Sequence, residues 1–398
     1  MAHQKCNKLL ILISFCNKQL IKVITGIRRC GKSTLFELYQ EYLIKNGVDK
    51  DQIISLNLED GDFADIETYK DLYSYVKGKL LLDKMNYVFL DEVQNVSEFQ
   101  KAVDGLYVKN NVDLYITGSN AYLLSGELAT LLSGRYIEIK MLPLSFKEYV
   151  SAFPEQTNME RLYMNYTVNS SFPYTLELSK HKYIKQYLNG IYDSIVLKDI
   201  IARKKYPDIA MLQSVVRFMF DNISNISSTK KIADTMTSAG RKISIHTVEN
   251  YLTALTNSFI FYKISRYDVK GKQYLKTGNK YYAIDIGLRY TLLGTKKADE
   301  GHILENFVFL ELLRRGYEIY IGKVGSAEVD FIAIGEEGNE YYQVSYTVKD
   351  SDKTLKRELA PLEAINDHNP KYLLTMDYAP LTSHNGIKQI NVLDWLLK

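Results

Sequence analysis

Ile21-Lys22-Val23-Ile24-Thr25-Gly26-Ile27-Arg28-Arg29-Cys30-Gly31-Lys32-Ser33-Thr34 decides how the rest of the chain is read. Its first five residues are β-rich. The apolar positions that follow, Leu35, Leu38, Tyr42 and Leu43, fit a helical period. Between strand and helix, Gly26 to Ser33 satisfies G-x-x-x-x-G-K-[ST], the phosphate-binding loop. A polyphosphate needs this arrangement because successive backbone N–H groups and the positive end of a helix must all point at one anion. Glycines admit close approach, Lys32 adds a mobile positive charge, and Ser33 offers a hydroxyl to Mg²⁺. The stretch therefore predicts a nucleoside triphosphate held by Gly26, Ile27, Arg28, Arg29, Cys30, Gly31, Lys32, Ser33 and Thr34. A Gly-Lys turn without a ligand is the competing reading, and the flanking strand and helix disfavour it.

Further along, Asn86-Tyr87-Val88-Phe89-Leu90-Asp91-Glu92 reads as a buried parallel strand delivering two acids at its C-terminal edge, the Walker B pattern. Asp91 is the candidate Mg²⁺ ligand with Ser33, and Glu92 the group that polarises the attacking water. A core strand with a polar exit is the alternative. Another strand, Asp113–Thr117, ends in Gly118-Ser119-Asn120, and Asn120 suits a sensor of the γ-phosphate, although Gly-Ser-Asn is also good turn chemistry. Ala121–Leu132 reads as a helix. Arg135 precedes a fifth strand, Tyr136–Ile139, where it could stabilise transition-state charge in its own subunit or in a neighbour, or simply be a surface arginine.

With 398 residues, 46% of them hydrophobic and 24% charged, the chain is ordinary for a globular protein and long enough for two or three domains. A net charge of +3 does not signal nucleic-acid or membrane binding by itself. The cysteines, Cys6, Cys16 and Cys30, match no metal spacing and read as reduced thiols of a cytoplasmic protein. The apolar run Leu9–Phe15 is too short to span a bilayer and lacks a cleavage site, so no membrane association is expected.

VITGIRRCGKST, YVFLDEVQ, LYITGSN, LLSGRY and MLPLSFKEY in combination resemble the AAA+ ATPases of prokaryotes that carry a C-terminal domain of unknown function. The resemblance implies an α/β fold with a five-stranded parallel sheet, order 5-1-4-3-2, binding ATP and Mg²⁺ at its C-terminal edge. Lys32, Glu92, Asn120 and Arg135 then become the catalytic set, with a homo-oligomer if Arg135 acts in trans. The family often shows Gly-Gly-Phe-Pro where this chain has Ser170-Ser171-Phe172-Pro173, which implies an altered loop rather than altered ATPase chemistry.

The remaining organisation is expected as an ATPase core over 1–150, a helical lid or linker over 151–205, a winged helix over 206–285 and a nuclease-like domain over 286–398. The lid would end in the basic run Lys198, Arg203, Lys204 and Lys205. Three helices (Val215–Ile223, Thr229–Met236, Ser244–Leu255) and a hairpin flanking Lys270, Lys272, Lys276 and Lys280 give the winged-helix plan. On DNA, Ser244, His246, Thr247 and Asn250 would face the bases and the wing lysines the phosphates. A winged helix that only packs against other domains is the other reading. The last segment resembles the PD-(D/E)XK restriction-like nuclease fold, with Glu305 on a helix, Asp330 on a strand and Gln343 on the next. Ser345 stands where that site needs a lysine, so the resemblance implies a kept fold and lost cleavage. Lys349 is the only nearby substitute, four residues too late. Two functions remain open: a Mg²⁺-dependent ATPase that could act on DNA, and a slow ATP-gated switch that recognises DNA or a protein partner.

Overall fold

In the computed structural model, which describes residues 4–124, 132–201, 208–269, 271, 273–294, 299–378 and 382–398, the chain forms two compact units. One comprises Met1–Leu144 with Phe172–Tyr174 and Asn257–Phe259, the other Ser145–Ser171, Thr175–Thr256 and Ile260–Lys398.

The first unit runs α1 (Gln4–Ser14), β1 (Ile21–Thr25), α2 (Lys32–Lys45), β2 (Ile53–Asn57), α3 (Tyr69–Lys79), β3 (Asn86–Asp91), α4 (Phe99–Tyr107), β4 (Val112–Gly118) and β5 (Tyr136–Lys140). Every strand pair is parallel, in the order β2-β3-β4-β1-β5, which is the expected 5-1-4-3-2 read from the other edge. β1 is buried along its whole length because it has a neighbour on both sides. Alternation then sorts its side chains. Ile21 and Val23 join Ile54, Leu56, Val88, Leu90, Leu114 and Ile116 on the face covered by Leu72 and Val76 of α3 and by Ala102, Val103 and Leu106 of α4. The opposite face carries Phe89 and Tyr115, stacked at 4.8 Å between ring centres, under Phe36 and Tyr39 of α2. The expected helix over Ala121–Leu132 is a 3-10 turn at Ala121–Leu124; residues 125–131 of it lie outside the described ones.

That second face also buries a charge. Lys22 on β1 pairs with Asp113 on the adjacent β4, and Asp113 accepts further hydrogen bonds from Asn17 N at 2.8 Å and Tyr115 OH at 2.7 Å. Burial pulls the Lys22 ammonium down, and Asp113 only partly restores it.

The second unit begins with α5 (Phe146–Ser151), α6 (Met159–Asn169), α7 (His181–Asp193), a π-helical stretch Ser194–Ile201, α8 (Ile209–Asp221), α9 (Thr229–Ser238) and α10 (Ile245–Asn257). The basic run expected at the end of the lid falls on Arg203, Lys204 and Lys205, outside the described residues, and on Lys198, whose side chain is not described. Then come β6 (Phe261–Asp268), β7 (Gln273–Ala283), α11 (Ile286–Leu293), α12 (Glu300–Arg314), β8 (Glu318–Val324), β9 (Ala327–Gly335), β10 (Gly338–Ser345), α13 (Asp352–Glu363), β11 (Lys371–Thr375), β12 (Thr382–His384), β13 (Ile387–Asn391) and α14 (Val392–Leu396). All these strands belong to one sheet, β12-β13-β11-β10-β9-β8-β6-β7.

The hairpin expected as a free wing is therefore part of the C-terminal sheet: β6 pairs antiparallel with β7 and parallel with β8. Its strands, expected from the sequence at Phe259–Ile264 and Tyr281–Ile284, run over Phe261–Asp268 and Gln273–Ala283 because the hairpin is held on a sheet edge instead of standing in solvent. The altered Ser170-Ser171 loop also has a physical reading. Ser170 keeps the left-handed backbone glycine favours, φ 79, and packs so tightly that a Cβ on Gly287 would lie 2.4 Å from its own. Asp285 holds the loop by accepting from Ser171 N and Oγ at 2.7 and 2.6 Å.

The buried pair in the first unit gives a direct test. Lys22→Met strands the Asp113 carboxylate in an apolar face and should destabilise by about 3–5 kcal/mol, whereas Lys22→Met with Asp113→Leu should recover most of that loss. Thermal unfolding of the two variants beside wild type checks the order.

Candidate functional site

The loop after β1 carries the geometry the motif predicts. Gly26 has φ 157, Arg29 φ 65 and Gly31 φ 102, and a Cβ on Gly26 would sit 2.3 Å from Met141 O. Glycine is required there by contact as well as by torsion. Gly31 starts α2 without a side-chain cap, so the first N–H groups of the helix keep their capacity for an anion. Lys32 folds back over the loop and donates to the carbonyls of Gly26 and Ile27 at 3.1 and 3.4 Å. Its Nζ lies 3.2 Å from Glu92 Oε1, with both side chains nearly buried.

Glu92 follows β3 in a left-handed conformation, φ 52, which turns its side chain back to the loop. Its backbone N donates to Thr117 Oγ1 at 2.9 Å, which joins the ends of β3 and β4. Thr117 Oγ1 in turn donates to Asp91 Oδ1. Gln94 Nε2 holds the second oxygen of Glu92 and also reaches Ser119 Oγ at 3.4 Å. Burial alone would raise Glu92, but the Lys32 ammonium and the Gln94 and Ser119 hydrogen bonds outweigh it and hold the carboxyl below its ordinary value. The same exchange works on Lys32: burial pulls it down, and Cys30, Glu92 and Asp91 together leave it raised. Asp91 goes the other way. Burial and the Glu92 charge push it up, against hydrogen bonds from Ser33 and Thr117. Cys30 is buried inside the loop, and that burial raises its thiol, so it is packing material and not a nucleophile.

Asn120 ends the β4 segment with a side chain only 1% exposed, and neither its Nδ2 nor its Oδ1 has a hydrogen-bond partner among the described residues. A buried amide with both ends unmet is costly unless something else satisfies it. Arg28, by contrast, turns away to Glu59 at 2.7 Å. The structure brings together Lys32, Ser33, Asp91 and Glu92 and adds Thr117 and Gln94, which the sequence did not single out; Asn120 follows β4 two residues on. The only signal for Thr117 and Gln94 was position: both flank acids or glycines at strand ends.

Arg135 is not among them, and this corrects the expectation that it reaches a phosphate in its own subunit. Its carbonyl accepts from Ile21 N, at the start of β1, while the phosphate loop follows the end of that five-residue strand. At about 3.3 Å per residue, roughly 16 Å of sheet separates the two edges. Arg135 instead pairs with Asp104 and lies over the Tyr107 ring.

Residues 18–150 match a family model described as an AAA domain, and residues 160–299 match one described as a domain of unknown function (DUF8612). The chain is 42% identical to an uncharacterized protein of Haemophilus influenzae over 396 residues, 98% of either chain. It is 32% identical to an uncharacterized protein of Methanocaldococcus jannaschii over 367 residues, 87% of this chain and 79% of that one. The chain belongs to their family. Among solved structures, a Walker-type ATPase of Pyrococcus abyssi matches with a TM-score of 0.51 over 73% of this chain and 95% of its own, at 15% identity, which is likeness of fold. The AAA domain of this family thus houses the site just described. Among the described residues, no helix is long and apolar enough to cross a membrane.

In the second unit the structure also assembles Glu305, Asp330 and Gln343, with additions that the sequence reading missed. Lys280 of β7 enters the cluster, 2.9 Å from Glu305 Oε1, 2.9 Å from Glu328 Oε1 and 3.6 Å from Asp330 Oδ1. It is 4% exposed, so it is not a wing lysine facing phosphates, as the sequence suggested. Tyr282 OH donates to Glu305 at 2.7 Å, Val344 N donates to Asp330 at 2.9 Å, and Gln343 Nε2 donates to Glu358 at 2.9 Å. Lys349, the substitute considered from sequence, lies elsewhere and donates to Tyr378 O. No group of three His, Cys, Asp or Glu among the described residues is arranged to hold a metal ion. Lys270 and Lys272 lie outside the described residues, as does the side chain of Lys276. Ser244 and Thr247 hydrogen-bond to each other at the start of α10.

Burial and the neighbouring Glu305 push Asp330 up to about 8, against the opposing pull of Lys280. The folded protein then keeps a proton that the unfolded chain releases near 3.8, so stability declines as pH rises between those values. Asp330→Asn removes the titrating group. Thermal unfolding followed between pH 5 and pH 8 should show a smaller drop in this variant than in wild type; equal drops would remove Asp330 as the cause.

Proposed function

We propose that the AAA domain binds ATP with Mg²⁺ and hydrolyses it, with Lys32, Ser33, Asp91, Glu92 and Asn120 as the working set. The observation that carries this reading is the buried ammonium of Lys32 held between the loop carbonyls and Glu92, 3.2 Å away. The residues fit a triphosphate on independent grounds. The helix N-terminus lacks a side-chain cap, a Cβ at Gly26 would collide with backbone, and the buried Asn120 amide has both ends unmet. The backbone from Gly26 to Thr34 would carry the phosphates. Ser33 and Asp91 would hold Mg²⁺, whose charge screens the phosphates and steadies the ionised form of Asp91.

Within the chain, Lys32 moves its ammonium from Glu92 to the phosphate oxygens, which frees a carboxylate at the C-terminal edge of the sheet. In this structure Glu92 is held below the ordinary carboxylate range by Lys32 and Gln94, and with Lys32 on the phosphates its carboxylate is the group placed to accept a proton from water. Asn120 has a donor and an acceptor available to orient that water or the γ-phosphate. Positioned charge of this kind carries most of the catalysis in phosphoryl transfer.

A second reading, slow ATP-gated switching, is favoured by one feature: Glu92 is latched by Lys32 and Gln94 at once. Turnover must wait until both let go. For the second unit we propose a nuclease-like fold without cleavage, in which Lys280 supplies internally the positive charge that Glu305, Glu328 and Asp330 would otherwise take from a metal ion. DNA contact through α9 and α10 remains part of this proposal, resting on the helical plan and on His246, which is exposed. A trans role for Arg135 in an oligomer would require it to leave Asp104.

The deciding measurement is steady-state ATP turnover of the purified protein with and without double-stranded DNA. Glu92→Gln should bind ATP and turn over at least ~100-fold more slowly; near-wild-type turnover would sink the assignment. Stimulation by DNA favours a DNA-acting ATPase, and indifference favours a protein client.

Gln94→Ala tests the latch. Losing a hydrogen bond to a carboxylate worth about 1.5 kcal/mol should raise basal turnover about tenfold if release of Glu92 limits the rate. An unchanged or lower rate would assign Gln94 to positioning.

A further inference from the structure

The second unit contains a cavity of about 580 Å³ that none of this chemistry uses. It opens where the parallel strands β10 and β11 end, the edge at which α/β sheets take ligands. Its floor is fixed. Thr347 Oγ1 and Val348 N donate to the two oxygens of Asp377 at 2.7 and 2.8 Å, and Met376 N donates to Tyr346 O at 3.0 Å, so the two loops leaving the sheet are tied together.

The walls are aromatic: Tyr163 from α6, Tyr290 from α11 and Tyr346 after β10. Tyr346 is 37% exposed, and Met164 beside it is 59% exposed, so apolar surface faces water at the mouth. The rim is acidic. Glu160 and Glu300 are exposed, and among the described residues their carboxylates have no ion pair and accept no hydrogen bond. Both act on the cavity. After burial, they raise the phenol of Tyr346, and Glu300 does the same to Tyr163 and Tyr290. Among the described residues, no lysine or arginine lines the space. The guanidinium of Arg289, 6.0 Å from the Tyr290 ring, is buried and holds Asp299 through Nη2 and Phe220 O through Nε.

We propose that this cavity binds an organic cation, a guanidinium or ammonium group carried on an apolar arm. Tyrosine rings line the space and can attract such a group, and two carboxylates without a partner among the described residues can accept charge-assisted hydrogen bonds from it. A planar guanidinium suits both because it can stack on a ring and present its edge N–H groups to a carboxylate. The volume falls in the range of small-molecule sites and also admits one basic side chain of a peptide. An anion is repelled by Glu160 and Glu300, and a neutral ligand gains no attraction from their charge.

Isothermal titration of the full-length protein decides it, with N-acetyl-arginine amide as probe and N-acetyl-citrulline amide as its uncharged isostere. The arginine derivative should bind in the millimolar range or tighter and the citrulline derivative should not. Glu300→Gln and Tyr346→Ala should each weaken binding at least ~10-fold, about 1.4 kcal/mol, while retaining the wild-type unfolding temperature, since both side chains stand at the surface. Equal binding of the two probes, no heat from the arginine derivative, or Glu300→Gln binding as wild type overturns the proposal. A short arginine-rich peptide separates the sources: tighter binding than the single residue points to a peptide partner, and equal binding to a free small molecule.

Discussion

The first unit depends on one buried ammonium. Lys32 is 4% exposed, and an unpaired cation at that depth would cost several kcal/mol. The loop carbonyls and Glu92 offset that cost. For them to do so, Gly26 must lie close to Met141, Glu92 must turn through a left-handed conformation, and Thr117 must tie the ends of β3 and β4. Each of these local features is unfavourable or neutral alone. Together they set a cation opposite a carboxylate, with one contact that can be exchanged for another anion.

Two further buried lysines show how the surroundings decide what such a charge does. Lys22 faces one carboxylate on the neighbouring strand and lies over the Tyr115 ring, so it is fixed and structural. Lys280 meets three carboxylates, Glu305, Glu328 and Asp330, and its pKa is raised despite burial. One positive charge among three acids leaves an excess of negative charge, and Asp330 answers by holding its proton to higher pH. Lys32 alone sits beside an open helix N-terminus, and it alone is placed to change partners.

The phosphate loop and the acids at the end of β3 were legible in the sequence because each follows from local rules, whereas the strand order came from the family resemblance. A fully buried parallel strand reads as an apolar run, the loop needs its glycines at fixed spacing, and a helix must begin at Lys32. The Gln94 latch was not legible, because a glutamine two residues past a carboxylate has no pattern of its own until β4 brings Ser119 beside it. The place of Arg135 follows from strand direction: it precedes β5, and in an all-parallel sheet that is the edge opposite the phosphate loop.

By itself the sequence determined the phosphate-loop motif and the apolar strand that ends in two acids, since these rest on period and spacing; the AAA assignment and the strand order came from the family resemblance those motifs carry. Tertiary structure decided the rest of the site and the character of the second unit. Lys280 looked like a surface lysine on a basic hairpin, and only pairing of β6 with β8 turned it into the counter-ion of a buried acidic cluster. Charges that meet across elements distant in the chain leave no mark in either segment, because the attraction depends on separation in space.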